Sequence, residues 1–258
     1  MKRIHVAVLG FTLVEMAMVL LIVALLLGGG LSVFSAQIEQ QKFKDTQKVL
    51  EDAKEALIGF AAANGRLPCP AAPALPGAGN GVESYAGVVG ASACTNPYNG
   101  FLPAATLGLP GVDANGYSLD GWAGRVRYAV TTASANAATN SNGIRNVPAV
   151  LPATPMEVFG AAANLRVCGV STGITAFACG APPPQALTTT AVAVIFSVGA
   201  NAGAGVGADE AANQNADQVF VFHEPYAFTA PTNEFDDIFT WIPPAILFNR
   251  MIQAGKLP

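Results

Sequence analysis

The sequence predicts an α+β fold, with one long N-terminal helix packed on a C-terminal antiparallel β-sheet that carries long loops. Three observations predict it. Residues Phe11 to Phe34 form a 24-residue apolar run whose single ionisable group is Glu15. Residues Gln37 to Asn64 continue with apolar side chains at helical spacing. Beyond Arg66 the chain becomes rich in Gly, Pro and Ala, then offers short runs of β-branched and aromatic residues.

The apolar run comes first. At about 1.5 Å per residue it reaches roughly 36 Å, enough to cross the hydrocarbon core of a bilayer. It is too long for the apolar core of an ordinary signal peptide, and no A-x-A cleavage site follows it. Lys2 and Arg3 precede it, and basic residues favour the inner side of a membrane. The simplest reading is an uncleaved signal anchor. Glu15 argues for more, because a carboxylate inside a spanning helix is costly and marks function by default. Gly28-Gly29-Gly30 reads either as a softened segment or as a surface for close helix packing.

Past the run, Phe43, Leu50 and Leu57 recur every seven residues, with Thr46, Ala53 and Phe60 as the adjacent row. Charged residues fill the other faces, the pattern of a helix packed against a core. Asn64-Gly65 is a helix stop, and Pro68 and Pro70 prevent continuation. One nearly continuous helix from about Phe11 to Ala63 follows. Strands are expected over Val126–Thr132, Leu165–Val170, Ala191–Val198 and Asp217–His223. A terminal helix is expected from Pro243-Pro244-Ala245 to Ala254, stopped by Gly255.

The residues Gly10-Phe11-Thr12-Leu13-Val14-Glu15 resemble the processing site of type IV prepilins and type II secretion pseudopilins. The resemblance covers about the first 35 residues. It implies that a prepilin peptidase cuts after Gly10 and methylates the new amino group of Phe11. It also implies that Glu15 is the acidic residue that neutralises a neighbouring subunit's Phe11 ammonium during assembly. The expected organisation is then a leader at 1–10, a membrane-spanning segment of a helical stem at 11–35, an amphipathic periplasmic part at 36–64, and a globular β-rich periplasmic domain at 65–258. The expected partners are the prepilin peptidase, other pilin or pseudopilin subunits and the inner membrane. The expected location is a single pass through the inner membrane, then a periplasmic or cell-surface filament. Asp120-Gly121-Trp122 with Tyr128 further resembles the Asp-x-Trp-Gly…Tyr segment of major pseudopilins, with Ala123 where that family has Gly. Ser197-Val198-Gly199-Ala200-Asn201 resembles their Ser-x-Gly-Ala-Asp, with Asn201 in place of the acid.

The four cysteines, Cys69, Cys94, Cys168 and Cys179, fall into two local pairs with no metal-type C-x-x-C. In an exported domain an even count favours disulfides. Three connectivities exist, and the sequential one, Cys69–Cys94 with Cys168–Cys179, is expected. Between Asp209 and Asp237 lie seven acids and no Lys or Arg. Major pseudopilins hold calcium in their C-terminal loops, so the resemblance makes calcium possible here, on Asp209, Asp217 and Asp236. A solvated acidic surface is the other reading.

A net charge of -4, and seven basic residues against eleven acids after Asn64, argue against nucleic acid as a partner. Outside the leader His223 is the only histidine. No nucleophile elbow, phosphate loop or zinc motif accompanies it, so no enzyme is expected and no cofactor beyond the calcium. The expected function is that of a structural, minor filament subunit. Alternatives are a filament-tip adhesin or binding subunit, and an anchored periplasmic domain that never assembles.

Overall fold

The computed structural model describes residues 10, 12–73, 81–146, 163–180, 186–201, 207–224 and 235–257, without the side chains of 26–35. The leader residues 1–9 and Phe11 thus lie outside the described residues, as do the side chains around Gly28–Gly30. The chain divides into two compact units, Met1–Phe43 and Lys44–Pro258.

Helix α1 runs Leu13–Asn64 over 52 residues, close to the expected Phe11–Ala63. In the first unit its described apolar side chains, among them Leu13, Met18, Leu20 and Leu25, are exposed. Among the described residues no helix is long and apolar enough to cross a membrane. The expected span falls partly on Phe11 and residues 26–35, which that statement does not cover.

In the second unit α1 buries Thr46, Leu50, Ala53, Leu57 and Ala61. Steps of four, three, four and four place them on one stripe. Full burial of a Leu side chain contributes roughly 1.5–3 kcal/mol, so this stripe holds the helix. The helix stops at Gly65, whose φ of +69° suits glycine and whose N–H reaches the Ala61 carbonyl at 2.8 Å. Arg66 follows, buried and clamped by both Glu83 oxygens at 2.7 and 2.8 Å and by the Tyr85 hydroxyl at 2.8 Å.

Among the described residues the β-structure forms two sheets. Strands β1 (Gly100–Phe101), β2 (Arg127–Val130), β5 (Ala193–Ser197) and β7 (Ile238–Ile242) form an antiparallel sheet in the order β1-β2-β5-β7. Strands β3 (Leu165–Cys168), β4 (Ala186–Ala191) and β6 (Val219–Val221) form the second, in the order β4-β3-β6. All four expected strands exist. The expectation of one antiparallel sheet is corrected: there are two, and β3 pairs with β6 in parallel. A parallel pair needs a long crossover, and some fifty residues separate these two strands in sequence. The chain changes sheet at Val192, which is fully buried. Its carbonyl accepts the Thr131 N–H and its N–H donates to Ile242 O, both at 2.9 Å.

Strand β5 is buried throughout. By the two-residue period of a strand, Val194 and Phe196 share one face. They join Ala129, Leu165, Val167, Ala191 and Phe220 in a core cluster flanked by Phe239 and Trp241. Phe196 stacks on Phe239 with centroids 4.7 Å apart. Besides three four-residue helices, the described residues of the unit include α2 (Ala208–Asn213) and α3 (Pro244–Gln253). α3 lies where the terminal helix is expected, and Gly255 takes φ +64° at its end. Its Arg250 pairs with Glu55 of α1 at 3.0 Å.

Both expected disulfides are present. Cys69–Cys94 has a Cα separation of 5.4 Å and Cys168–Cys179 one of 5.6 Å. In the chain-entropy account, closing loops of this size contributes about 3 kcal/mol each.

The Asp120–Gly124 turn holds a non-glycine residue in a left-handed conformation. Ala123 has φ +63°, a left-handed conformation that costs an L-residue roughly 1–2 kcal/mol. A glycine there would pay no such strain but would lose more chain entropy, about 0.5–1 kcal/mol. Ala123→Gly should therefore stabilise the domain by up to about 1 kcal/mol, a rise of roughly 2–4 °C in Tm for a domain of this size. Gly199→Ala should do the opposite, because φ there is +65° and a methyl group would collide with the Asp236 carboxylate. Thermal unfolding of both variants checks the pair.

Candidate functional site: a capped helix start and a buried acidic cluster

The start of α1 is built by two side chains. The Thr12 hydroxyl accepts the Glu15 N–H at 3.2 Å. The Glu15 carboxylate reaches back to accept the Thr12 N–H and the Thr12 hydroxyl, both at 2.9 Å. This is a reciprocal capping box, in which two otherwise unpaired helix N–H groups are satisfied. It puts the first helical residue at Leu13. Gly10 lies before it, outside any helix and exposed, with nothing within 4 Å of where a Cβ would sit. Phe11, the expected new N-terminus, lies outside the described residues. The signal for this cap, Thr-x-x-Glu before an apolar run, is present in the sequence. Its intrachain role for Glu15 was not among the expectations.

The acidic residues separate into three places. Asp209, the second residue of α2, accepts the Ser171 N–H at 2.6 Å and lies 3.2 Å from His223 Nε2. It thereby ties the Cys168–Cys179 loop to α2. The His223 ring lies against Phe235, centroids 4.0 Å apart. Asp217 accepts the Val219 N–H and the Asn215 amide, both at 2.9 Å, and shapes the entry to β6. Asp236 groups with Glu210 and Asp237. The structure thus brings only one of the three expected acids into a cluster, and its companions there are Glu210 and Asp237.

Three segments converge on this cluster. From the loop after β5, the N–H groups of Ala200 and Asn201 donate to Asp236 Oδ2 at 2.7 and 3.2 Å. From the same loop, Asn201 Nδ2 donates to both Glu210 oxygens at 2.9 Å. From the entry to β7, the Asp236 N–H donates to Glu210 Oε1 at 3.2 Å. From α2, Asn213 donates to Asp237 Oδ2 at 2.7 Å. Asn213 also bonds both the carbonyl and the N–H of Val221, fastening α2 to β6.

One carboxylate oxygen of each of Glu210, Asp236 and Asp237 lies within 4.8 Å of the others. Two oxygens at roughly 2.4 Å from a common calcium ion can be that far apart. Among the described residues, Asp236 Oδ1 and Asp237 Oδ1 are buried without a hydrogen-bond partner, and Asp237 is only 1% exposed. Buried polar atoms are normally satisfied. An all-oxygen donor set with two such oxygens fits a hard divalent cation and does not fit zinc.

Burial pushes the Asp237 carboxyl up to about 8. The Asn213 amide opposes this, the like charges of Glu210 and Asp236 add to it, and Arg127 draws it back. Burial also raises the Glu210 carboxyl, against the Asn201 amide.

Comparison with known protein families, curated proteins and solved structures returned no match.

A carboxyl with a raised folded pKa binds its proton more tightly in the fold than in the unfolded chain. Its contribution favours the fold most below about pH 4 and is lost as the pH climbs to about 8. In chelator, Asp237→Asn should match wild type near pH 4 and become more stable than it by a few kcal/mol near pH 8. Denaturant unfolding across that range checks this. A difference that does not vary with pH would refute it.

Proposed function

We propose that this chain is a structural, minor subunit of a type IV pilus or type II secretion pseudopilus. In this reading it is cut by a prepilin peptidase after Gly10, carried in the inner membrane by the stem, and assembled through α1. The observation that carries the reading is the sequence of events at the start of α1: an exposed Gly10, a Thr12–Glu15 cap, and a helix that continues unbroken to Asn64. A peptidase needs an extended, accessible backbone, and the cap keeps the helix from beginning any earlier. The two disulfides suit an oxidising compartment.

Assembly then exchanges partners at Glu15. Before entry into a filament its carboxylate caps its own helix. On entry it turns to the Phe11 ammonium of a neighbouring subunit. Either charge left alone in an apolar filament core would be heavily penalised, so the pairing also fixes axial register. Loss of the cap costs the subunit only its first-turn hydrogen bonds.

Replacement of Gly10 by Leu should leave uncut precursor in the membrane, because the side chain obstructs the backbone at the scissile bond. Mass spectrometry of the wild-type protein should find a chain that begins at methylated Phe11. An intact leader in cells with an active peptidase would sink the assignment.

Three substitutions separate the two roles of Glu15. Glu15→Gln keeps a side chain able to cap but removes the charge. Glu15→Ala removes both, and Thr12→Ala weakens the cap while leaving the charge. Membrane level and leader removal should be normal in both Glu15 variants, and both should be lost from sheared filaments. Thr12→Ala should still be recovered. Normal recovery of Glu15→Gln would mean that the carboxylate makes no assembly contact.

A further inference from the structure

We propose that Cys168–Cys179 is an exchangeable disulfide, opened by a dithiol that attacks Cys179, whereas Cys69–Cys94 is a permanent one. This difference belongs to the second unit alone and holds whether or not the stem enters a filament.

The two bridges differ in access. Cys69 and Cys94 are buried, at 0% and 8% exposure, and so is Cys168, at 0%. Cys179 is half-buried. Thiol–disulfide exchange requires a thiolate to reach one sulfur of the bridge. Cys179 offers that approach, and the loop before it gives little cover, because Thr172, Gly173, Thr175, Ala176 and Phe177 are all exposed. At Cys69–Cys94 a thiolate meets two buried residues.

The exchangeable bridge also joins unequal partners. Cys168 ends β3, where it pairs with Ala186 of β4 and Val221 of β6, and its carbonyl accepts the Phe222 N–H at 2.8 Å. Cys179 closes a small loop in which the Thr175 N–H donates to the Ala178 carbonyl at 2.9 Å. Gly180 lies so close to Thr172 and Gly173 that a Cβ there would collide with their backbone. Opening the bridge therefore leaves β3 paired on both sides and releases the loop alone. The loop then keeps its hold on α2 through the Ser171 N–H, which donates to Asp209 at 2.6 Å. With the bridge closed, the loop braces α2 against β3. With it open, that brace is lost.

The chemistry balances with a dithiol as reductant. Its first thiolate attacks Cys179 Sγ. A mixed disulfide forms, the bond to Cys168 breaks, and the electron pair leaves on the Cys168 sulfur, which takes up a proton. The second thiolate of the reductant then attacks its own first sulfur and displaces Cys179, which is protonated in turn. Two electrons and two protons pass to the bridge, and the dithiol becomes a disulfide. Oxidised dithiol runs the same steps backwards. Cys168 stays fixed in β3 and the glycine contacts keep the limbs of the loop together, so the same pair re-forms.

The test uses the full-length chain in detergent, under native conditions. After brief treatment with dithiothreitol, acid quench and alkylation, peptide mass spectrometry should find Cys168 and Cys179 modified at least tenfold faster than Cys69 and Cys94. In denaturant, where access is equal, that ratio should collapse. Reduced glutathione, a monothiol that halts at the first step, should be found on Cys179, with Cys168 as the free thiol. Oxidised dithiothreitol should restore the original pairing. Hydrogen exchange of the reduced chain should be several-fold faster at Ser171 and along α2, and unchanged over residues 46–61 of α1. Equal native rates at the two bridges, or glutathione on Cys168, would overturn the assignment. Unchanged hydrogen exchange in α2 would overturn the brace. The double variant Cys168→Ser with Cys179→Ser should reproduce the hydrogen exchange of the reduced chain. Should it fail to fold, the rates measured on wild type decide alone.

Discussion

The buried carboxylate of Asp120 is the constraint on which the second unit depends. It is 8% exposed and is satisfied by hydrogen bonds: from the Trp122 and Gly124 N–H groups at 2.9 and 2.7 Å, and from the Ser197 hydroxyl. Charge-assisted bonds of this kind are stronger than neutral ones and are expensive to leave unmade. They shape the turn, and the turn presents the Gly121 N–H to Thr46 of α1 at 2.9 Å. Ser197 in turn accepts the Gly199 N–H at 3.1 Å. The stem, the end of β5 and the loop over the acidic cluster are therefore referred to one side chain.

The strain at Ala123 belongs to the same constraint. Its positive φ is what returns the chain so that Gly124 can donate to Asp120. The bonds to the carboxylate hold a conformation that alanine alone would avoid. The two segments that resemble pseudopilin motifs lie 77 positions apart, and they meet at the contact between Asp120 and Ser197.

Much of this was legible because it is periodic or punctuated. The stripe Thr46–Leu50–Ala53–Leu57, the Asn64-Gly65 stop and the four strands all write their burial into residue spacing. The cysteine pairs follow from nearness in sequence. Strand β4 was missed because Leu187 and three threonines on an exposed edge give little apolar signal. Strand β7 was missed although Ile238-Phe239-Thr240-Trp241-Ile242 alternates, because the acids before it suggest a loop. The choice among acids failed for a geometric reason. Adjacent residues on a helix point about 100° apart, so Asp209 and Glu210 of α2 face different partners, and composition carries no helix phase. The companions of Asp236 were fixed by where α2 and β7 come together, which is tertiary information.

The first disulfide has a mechanical consequence. Cys69 lies five residues after the last residue of α1, and its partner Cys94 lies six residues before β1. Between the end of α1 and β1 the covalent path through the sulfur bridge is shorter than the path along residues 70–93. Val88 and Val89 of that loop lie at the surface. With the bridge reduced, only the longer covalent path remains, which fully extended measures roughly 80 Å. The bridge thus keeps the end of α1 covalently close to the start of the first sheet.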